Sequence, residues 1–171
     1  YSREAFSLIF NNLPKVLLNP TNIEARRNLL IGSCLAGCAI YNANTGACHA
    51  MAYPLGIYHG VPHGVAVGLL IPRVLEVNVA KGCTMYADLY DLINGRDRNQ
   101  SAAAKTQQFL SLLQGYAPRA HLDQNLKRYG VTGAAIPFLS ERSLDLASAL
   151  NNNPVEFTRE DAVGVLDRLV P

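Results

Sequence analysis

Three of the chain's four histidines, His49, His59 and His63, fall between residues 48 and 64, and none precedes them. The stretch reads Cys48-His49-Ala50-Met51-Ala52-Tyr53-Pro54-Leu55-Gly56-Ile57-Tyr58-His59-Gly60-Val61-Pro62-His63-Gly64. Imidazole is the commonest metal ligand and the side chain whose unperturbed titration falls near neutrality. His49 stands in an apolar, helix-like segment, and Tyr53, one turn on, shares its face. Pro62 fixes the backbone ahead of His63, and Gly64 lets other groups come close behind it. Two ring nitrogens can thus meet from two different helices. Two neutral imidazoles make a good partial site for Fe²⁺ or Zn²⁺. A catalytic metal usually keeps three or four protein ligands and an open position. Glu76, Asp88 and Asp91 are further candidates only by elimination. His59 falls in the expected turn, where it can face solvent or substrate, and Ile57, Tyr58 and His59 are candidate pocket walls. On spacing alone the pair stays open between a metal site and two histidines satisfied within the fold.

Helix signals dominate the elements that must position these residues. Residues 3–18 repeat apolar side chains near the 3.6 period, with Pro14 expected to kink or end the helix. Thr21 and Glu24 read as a capping box that opens a long helix to about Tyr41. That helix is apolar over most of its second half and is expected to be the central, buried one. Gly32, Ala36, Gly37 and Ala39 would let neighbouring helices approach closely. A turn cluster occupies 42–46. Further helices are expected over 47–58, 63–79, 85–93, 101–114, 121–129 and 136–149, with breaks at Gly82, 94–99, 115–118 and 151–154. A last helix runs to about Leu169 behind Thr158, whose box is imperfect because Asp161 holds the third position. No segment alternates as a strand does. The expected fold is all-α: one helical, bundle-like domain over residues 1–171. There is no βαβ pattern and no GxGxxG loop, so no cofactor-binding residue is assigned in this chain.

Composition narrows the partners. At 171 residues and 49 % apolar, the chain can bury a globular core. A net charge of +2, with basic residues scattered rather than striped among aromatics, excludes the footprint of a nucleic-acid binder. The four cysteines, Cys34, Cys38, Cys48 and Cys83, show neither CxxC nor zinc-finger spacing. Cys34 and Cys38 lie in an apolar run and are expected to be buried small hydrophobes in a reducing compartment. The longest apolar run, 29–41, is too short to span a bilayer. Residues 1–20 lack the basic start and unbroken apolar core of a signal peptide. A cytoplasmic protein without membrane or nucleic-acid partners is expected.

The wider sequence carries a resemblance. Residues 12–78 include Asn12-Leu13-Pro14-Lys15-Val16, Asn22-Ile23-Glu24-Ala25-Arg26, Ser33-Cys34-Leu35-Ala36-Gly37 and Asn42-Ala43-Asn44-Thr45-Gly46. His49-Ala50-Met51-Ala52-Tyr53-Pro54-Leu55-Gly56, Val61-Pro62-His63-Gly64, Leu70-Ile71-Pro72 and Asn78 follow. With looser matches at Tyr129-Gly130-Val131, Asn152-Asn153-Pro154 and Thr158-Arg159-Glu160-Asp161, the chain resembles the iron-containing (group III) alcohol dehydrogenase family. The resemblance implies the C-terminal helical, metal-binding domain of the dehydroquinate synthase-like, iron-type architecture. In that family one Asp and three His hold the metal, and His49 and His63 match the last two His. The other two ligands would lie on a helix preceding Tyr1, and NAD(P) would be bound mainly by an N-terminal α/β domain absent from this chain. Many members carry His where this chain has Tyr53, close to the reacting end of the cofactor. Tyr53 is therefore the candidate catalytic donor or acceptor, although a phenol is a poorer proton shuttle at neutrality than an imidazole. Packing beside Pro54 is its alternative role. The implied activity is interconversion of a small alcohol with an aldehyde or ketone, in a protein expected to form a homo-oligomer. The competing reading is a free-standing, non-catalytic helical interaction module derived from that family.

Overall fold

A computed structural model describes residues 1–119 and 125–170. In chain order the elements are α1 (Ser2–Leu18), α2 (Ile23–Ala43), α3 (Ala47–His59), α4 (His63–Ala80), α5 (Ala87–Asn94), α6 (Ala102–Gln114) and α7 (Tyr116–Arg119). Two 3-10 turns, Leu126–Tyr129 and Gly133–Ala135, precede α8 (Ile136–Ser143), α9 (Ala147–Leu150) and α10 (Arg159–Asp167). No strand occurs among the described residues, which is the all-α class expected. The chain divides into two compact units, one of Tyr1–Asn44 with Thr84–Ser111 and one of Thr45–Cys83 with Leu112–Pro171.

In the first unit α1 lies along α2 and α5 packs on α1. Pro14 sits inside α1 without ending it; the helix runs on to Leu18, and the Asn19 N–H closes on the Lys15 carbonyl at 2.9 Å. Long packing against α2 holds the turns on either side of the proline. The α1–α2 crossing is tight at Gly32, where a methyl group would meet the Ala5 carbonyl oxygen at 3.2 Å. Phe6, Phe10, Tyr86 and Phe109 form an aromatic cluster with neighbouring centroids 5.3–6.5 Å apart. The buried Lys105 ammonium lies 2.7 and 2.9 Å from the two Asp91 oxygens.

Two expectations for α2 are corrected. Its N-cap is Asn22, whose side chain accepts from the Ala25 N–H at 3.0 Å, while Thr21 donates its hydroxyl to Asn19 Oδ1. Nor is α2 the central buried helix: only Ala25 and Gly32 are buried, Leu30, Ile31, Ile40 and Tyr41 are exposed, and Cys34 and Cys38, expected to be buried within it, are exposed with them. Hydropathy reports that a helix has apolar surface to cover, and α1 covers one face of it only.

The second unit has its centre at α3 and α4 instead. Met51 and Leu55 of α3, Leu69, Leu70 and Val74 of α4, Leu139 of α8 and Val165 and Leu166 of α10 close one apolar cluster. By length and composition α4 could cross a membrane, with a mean hydropathy of 1.3. One face of it, with Ala66, Leu69, Leu70 and Val74, is buried in this cluster; it contacts α3 and α10 and pairs Arg73 with Glu76 at 2.8 Å. Glu76 also accepts from Gln114 at 2.7 Å and Arg168 at 2.6 Å, which ties α4 to the two flanking segments.

The expected helix over 136–149 is split. The Ser143 hydroxyl bonds the Leu139 carbonyl at 2.8 Å, a pattern that competes with helix continuation. Leu146 then leaves helical geometry before α9 begins. Of the expected helix over 121–129, residues 121–124 lie outside the described residues, and the rest is a 3-10 turn ended at Gly130. The break expected over 115–118 contains the short α7. The α10 capping box is complete despite the shorter acid. Asp161 Oδ2 reaches the Thr158 N–H at 2.7 Å, and Thr158 Oγ1 accepts from the Asp161 N–H at 3.3 Å.

Candidate metal centre

The turn between α3 and α4 sets the geometry of the histidine stretch. Gly60 adopts φ +63, where a side chain would be strained, and its N–H closes α3 on the Gly56 carbonyl at 3.1 Å. The Val61 N–H follows to the Leu55 carbonyl at 3.3 Å, and Val61 is buried. Pro62, at φ −56 and ψ 134, then stands immediately before α4 and leaves His63 as its first residue. At the other end, the His49 N–H bonds the Gly46 carbonyl at 3.0 Å in the opening turn of α3.

This arrangement brings the His49 and His63 rings together. Their centroids lie 5.3 Å apart with the planes inclined at 51°. The Tyr53 ring lies 6.0 Å from that of His63. His49 is half-buried, His63 is exposed, and Tyr53 is 47 % exposed. Burial pushes the His49 pKa below its ordinary value, and the neighbouring His63 charge lowers it further. Both effects favour the neutral imidazole, which is the form that binds metals. Among the described residues neither imidazole has a side-chain hydrogen-bond partner.

The pair passes a geometric test for a shared cation. Two imidazoles that ligate one ion through nitrogens at about 2.1 Å and at a tetrahedral angle place their centroids about 5 Å apart. Among the described residues no three His, Cys, Asp or Glu side chains gather. Glu76 is committed to Arg73, Gln114 and Arg168, and Asp91 to Lys105, so charge pairing already occupies these candidates. Asp88 is an exposed residue in the first turn of α5.

His59, the last residue of α3, is half-buried and makes no ring contact with His49 or His63. Pro54 is buried, while Tyr53 holds its ring beside that of His63. Tyr53 also lines a cleft of about 200 Å³ with Ala50, Pro54, Ile57, Tyr58, Arg142, Asp145 and Leu146. Of the expected pocket walls Ile57 and Tyr58 line this cleft and His59 does not, and the α8–α9 wall was not expected. Its signal is the four-residue spacing of Phe138 and Arg142 on one helical face. Phe138 packs edge-on against Tyr58 at 4.8 Å, and Arg142 lies over the Phe138 ring and pairs with Asp145 at 3.1 Å.

Comparison with known proteins places the chain in a family. Residues 1–170 match the model of the Fe-containing alcohol dehydrogenase family, C-terminal. A 1,3-propanediol dehydrogenase from Klebsiella pneumoniae is 32 % identical over 149 residues, covering 87 % of this chain and 38 % of the relative. The crystal structure of a 1,3-propanediol oxidoreductase superposes with a TM-score of 0.88 at 27 % identity, over 98 % of this chain and 44 % of that one. A sulfoacetaldehyde reductase from Bifidobacterium kashiwanohense, solved in complex with NAD⁺, superposes with a TM-score of 0.76 at 25 % identity, over 98 % of this chain and 42 % of that one. The chain thus spans about two fifths of the length of the curated relatives it matches first. It belongs to the iron-containing alcohol dehydrogenase family, within whose C-terminal helical domain it falls.

Proposed function

We propose that this chain is the metal-holding, C-terminal part of an iron-type, NAD(P)-dependent alcohol dehydrogenase that interconverts a small alcohol with an aldehyde or ketone. The observation that carries the reading is the facing of His49 and His63 at 5.3 Å in a chain of this family. The two imidazoles hold half of a four-ligand site for Fe²⁺ (or Zn²⁺), and the other ligands lie outside residues 1–171. NAD(P) is bound mainly by a further α/β domain of the same protein. An ion bound there supplies Lewis-acid polarisation of the alcohol or carbonyl oxygen.

The chain's own residues orient and protect that chemistry. His49 is kept neutral and directed by the first turn of α3, and His63 by Pro62. Tyr53, whose ring lies 6.0 Å from that of His63 and lines the cleft, can hold or pass a proton through its hydroxyl. Ile57 and Tyr58 on the cleft wall offer apolar surface to a short substrate chain. His59 keeps only a peripheral, substrate-proximal role. The exposed apolar stripe of α2 is covered in the whole protein, by its other domain or by a second copy in a homo-oligomer. Free thiols at Cys34 and Cys38 suit a cytoplasmic location.

The test is metal binding by the purified 171-residue chain. It is expected to retain no iron or zinc through desalting, to bind Ni²⁺ only weakly, and to lose that binding on His49→Ala or His63→Ala. Added NAD and alcohol should give no turnover. Tight stoichiometric iron or zinc, or Ni²⁺ binding indifferent to both substitutions, would show that these residues do not form half of the site. Complete indifference to metal would instead favour the non-catalytic interaction module.

A further inference from the structure

Asn78, in the last turns of α4, is a polar side chain 1 % exposed beside an apolar cluster. It meets Asn153 in the loop after α9. Asn153 Nδ2 donates to Asn78 Oδ1 at 2.9 Å and to the Val155 carbonyl at 2.9 Å, and Asn78 Nδ2 faces Asn153 Oδ1 at 3.4 Å. The same loop is held a second time, because the Lys81 ammonium donates to the Glu156 carbonyl at 2.9 Å. Asn153 is tied to α9, which packs on α3, because its N–H bonds the Leu150 carbonyl at 3.0 Å, and a methyl group added to Gly46 at the start of α3 would come to 3.6 Å from its Oδ1. Gly46 in turn accepts the His49 N–H at 3.0 Å.

These contacts close a ring that runs from His63 along α4 to Asn78, across to Asn153, through α9 onto α3 and back to His49. Apolar packing is non-directional and would tolerate a slide of the loop along α4. A reciprocal carboxamide pair does not, because its donors and acceptors meet in one register. We propose that Asn78 and Asn153 are positioning residues, a buried amide latch that fixes the first turn of α3 against α4 and so sets the spacing of the His49 and His63 rings. Their value to the protein rests on the reading of those rings as metal ligands; the geometric claim does not.

The experiment therefore needs no metal. In the 171-residue chain, the nuclear Overhauser cross-peak between the His49 and His63 ring protons is compared in wild type, Asn153→Ala, Asn78→Ala and Val165→Ala, the last a core truncation on α10. A ring displacement of about 1 Å, the scale that disables a site, weakens that cross-peak about threefold through its inverse sixth-power dependence. Both Asn variants are expected to show at least this loss with helical circular dichroism retained, while Val165→Ala loses thermal stability and keeps the cross-peak. An unchanged cross-peak in Asn153→Ala, or an equal loss in Val165→Ala, overturns the proposal. Failure of Asn153→Ala to fold also overturns it, because the pair would then serve the fold as a whole. Ni²⁺ titration of the same variants reads the metal assignment separately.

Discussion

The α1–α2 crossing offers two substitutions of the same kind with opposite expected signs. A methyl group on Gly32 would lie 2.8 Å from Ile9 Cγ1, 3.2 Å from the Ala5 carbonyl oxygen and 3.2 Å from Leu8 Cβ. On Gly37, farther along the same helix and exposed, it would meet nothing within 4 Å. Each Gly→Ala change should contribute about 1 kcal/mol through helix propensity. At Gly32 the Ile9 side chain can rotate away, at a cost of about 0.5–1.5 kcal/mol. The Ala5 oxygen is backbone and moves only if α1 moves. Overpacking of this kind costs about 1–3 kcal/mol. Gly37→Ala is therefore expected to stabilise by about 1 kcal/mol, and Gly32→Ala to end between neutral and about 2 kcal/mol destabilised. Their difference, about 1–3 kcal/mol, cancels the propensity gain and reads the crossing alone. Urea unfolding followed by far-ultraviolet circular dichroism gives both numbers, with unchanged slopes as the control. Equal stability of the two variants would refute the claim that α1 and α2 need a glycine to meet.

Two further outcomes are expected. Burial pushes the Cys48 pKa from 9.0 to about 12, so at pH 8 its thiolate fraction falls from about one tenth to about 10⁻⁴, partly offset by the greater nucleophilicity of the more basic thiolate; iodoacetamide mapping should find half-buried Cys48 alkylated about thirtyfold more slowly than exposed Cys34 and Cys38, and comparable rates would contradict this account. Burial alone would raise the Asp161 pKa, but the hydrogen bonds from Lys81 and the Thr158 backbone outweigh it and hold the group below 3.8. Its stabilisation is thus complete above that value and is lost as the pH falls through the lower, folded-state pKa. Asp161→Asn should flatten the acid limb of the stability curve and cost about 1 kcal/mol at pH 7 through the weakened cap, and an unchanged acid limb would sink this account.

Much of the site was legible because it is local. His49 and Tyr53 share a face by helical period alone, and Pro62 and Gly60 mark the turn that returns the chain to His63. The capping residue Thr158 and the stop at Gly130 follow from backbone chemistry that tertiary contacts leave in place. What the sequence hid depends on partners distant along the chain. The α8–α9 wall of the cleft, with Arg142 and Asp145, has no signature in residues 48–64. The Asn78–Asn153 pair joins two positions that only packing brings together, and neither asparagine differs in type from those exposed in turns.

The sequence by itself determined the helical class, the places where most helices start and stop, and the residue types that could hold a cation. These follow from short-range sterics and hydrogen bonding, which act over a few residues. Only the tertiary structure decided which apolar helix is buried: α3 and α4 form a core, while α2, just as apolar over its second half, leaves Leu30 and Tyr41 in the open. It also decided that two imidazoles meet at 5.3 Å while His59 stands apart from both. Burial and side-chain distance are properties of the neighbours that a face acquires, and residues near in sequence do not specify those neighbours.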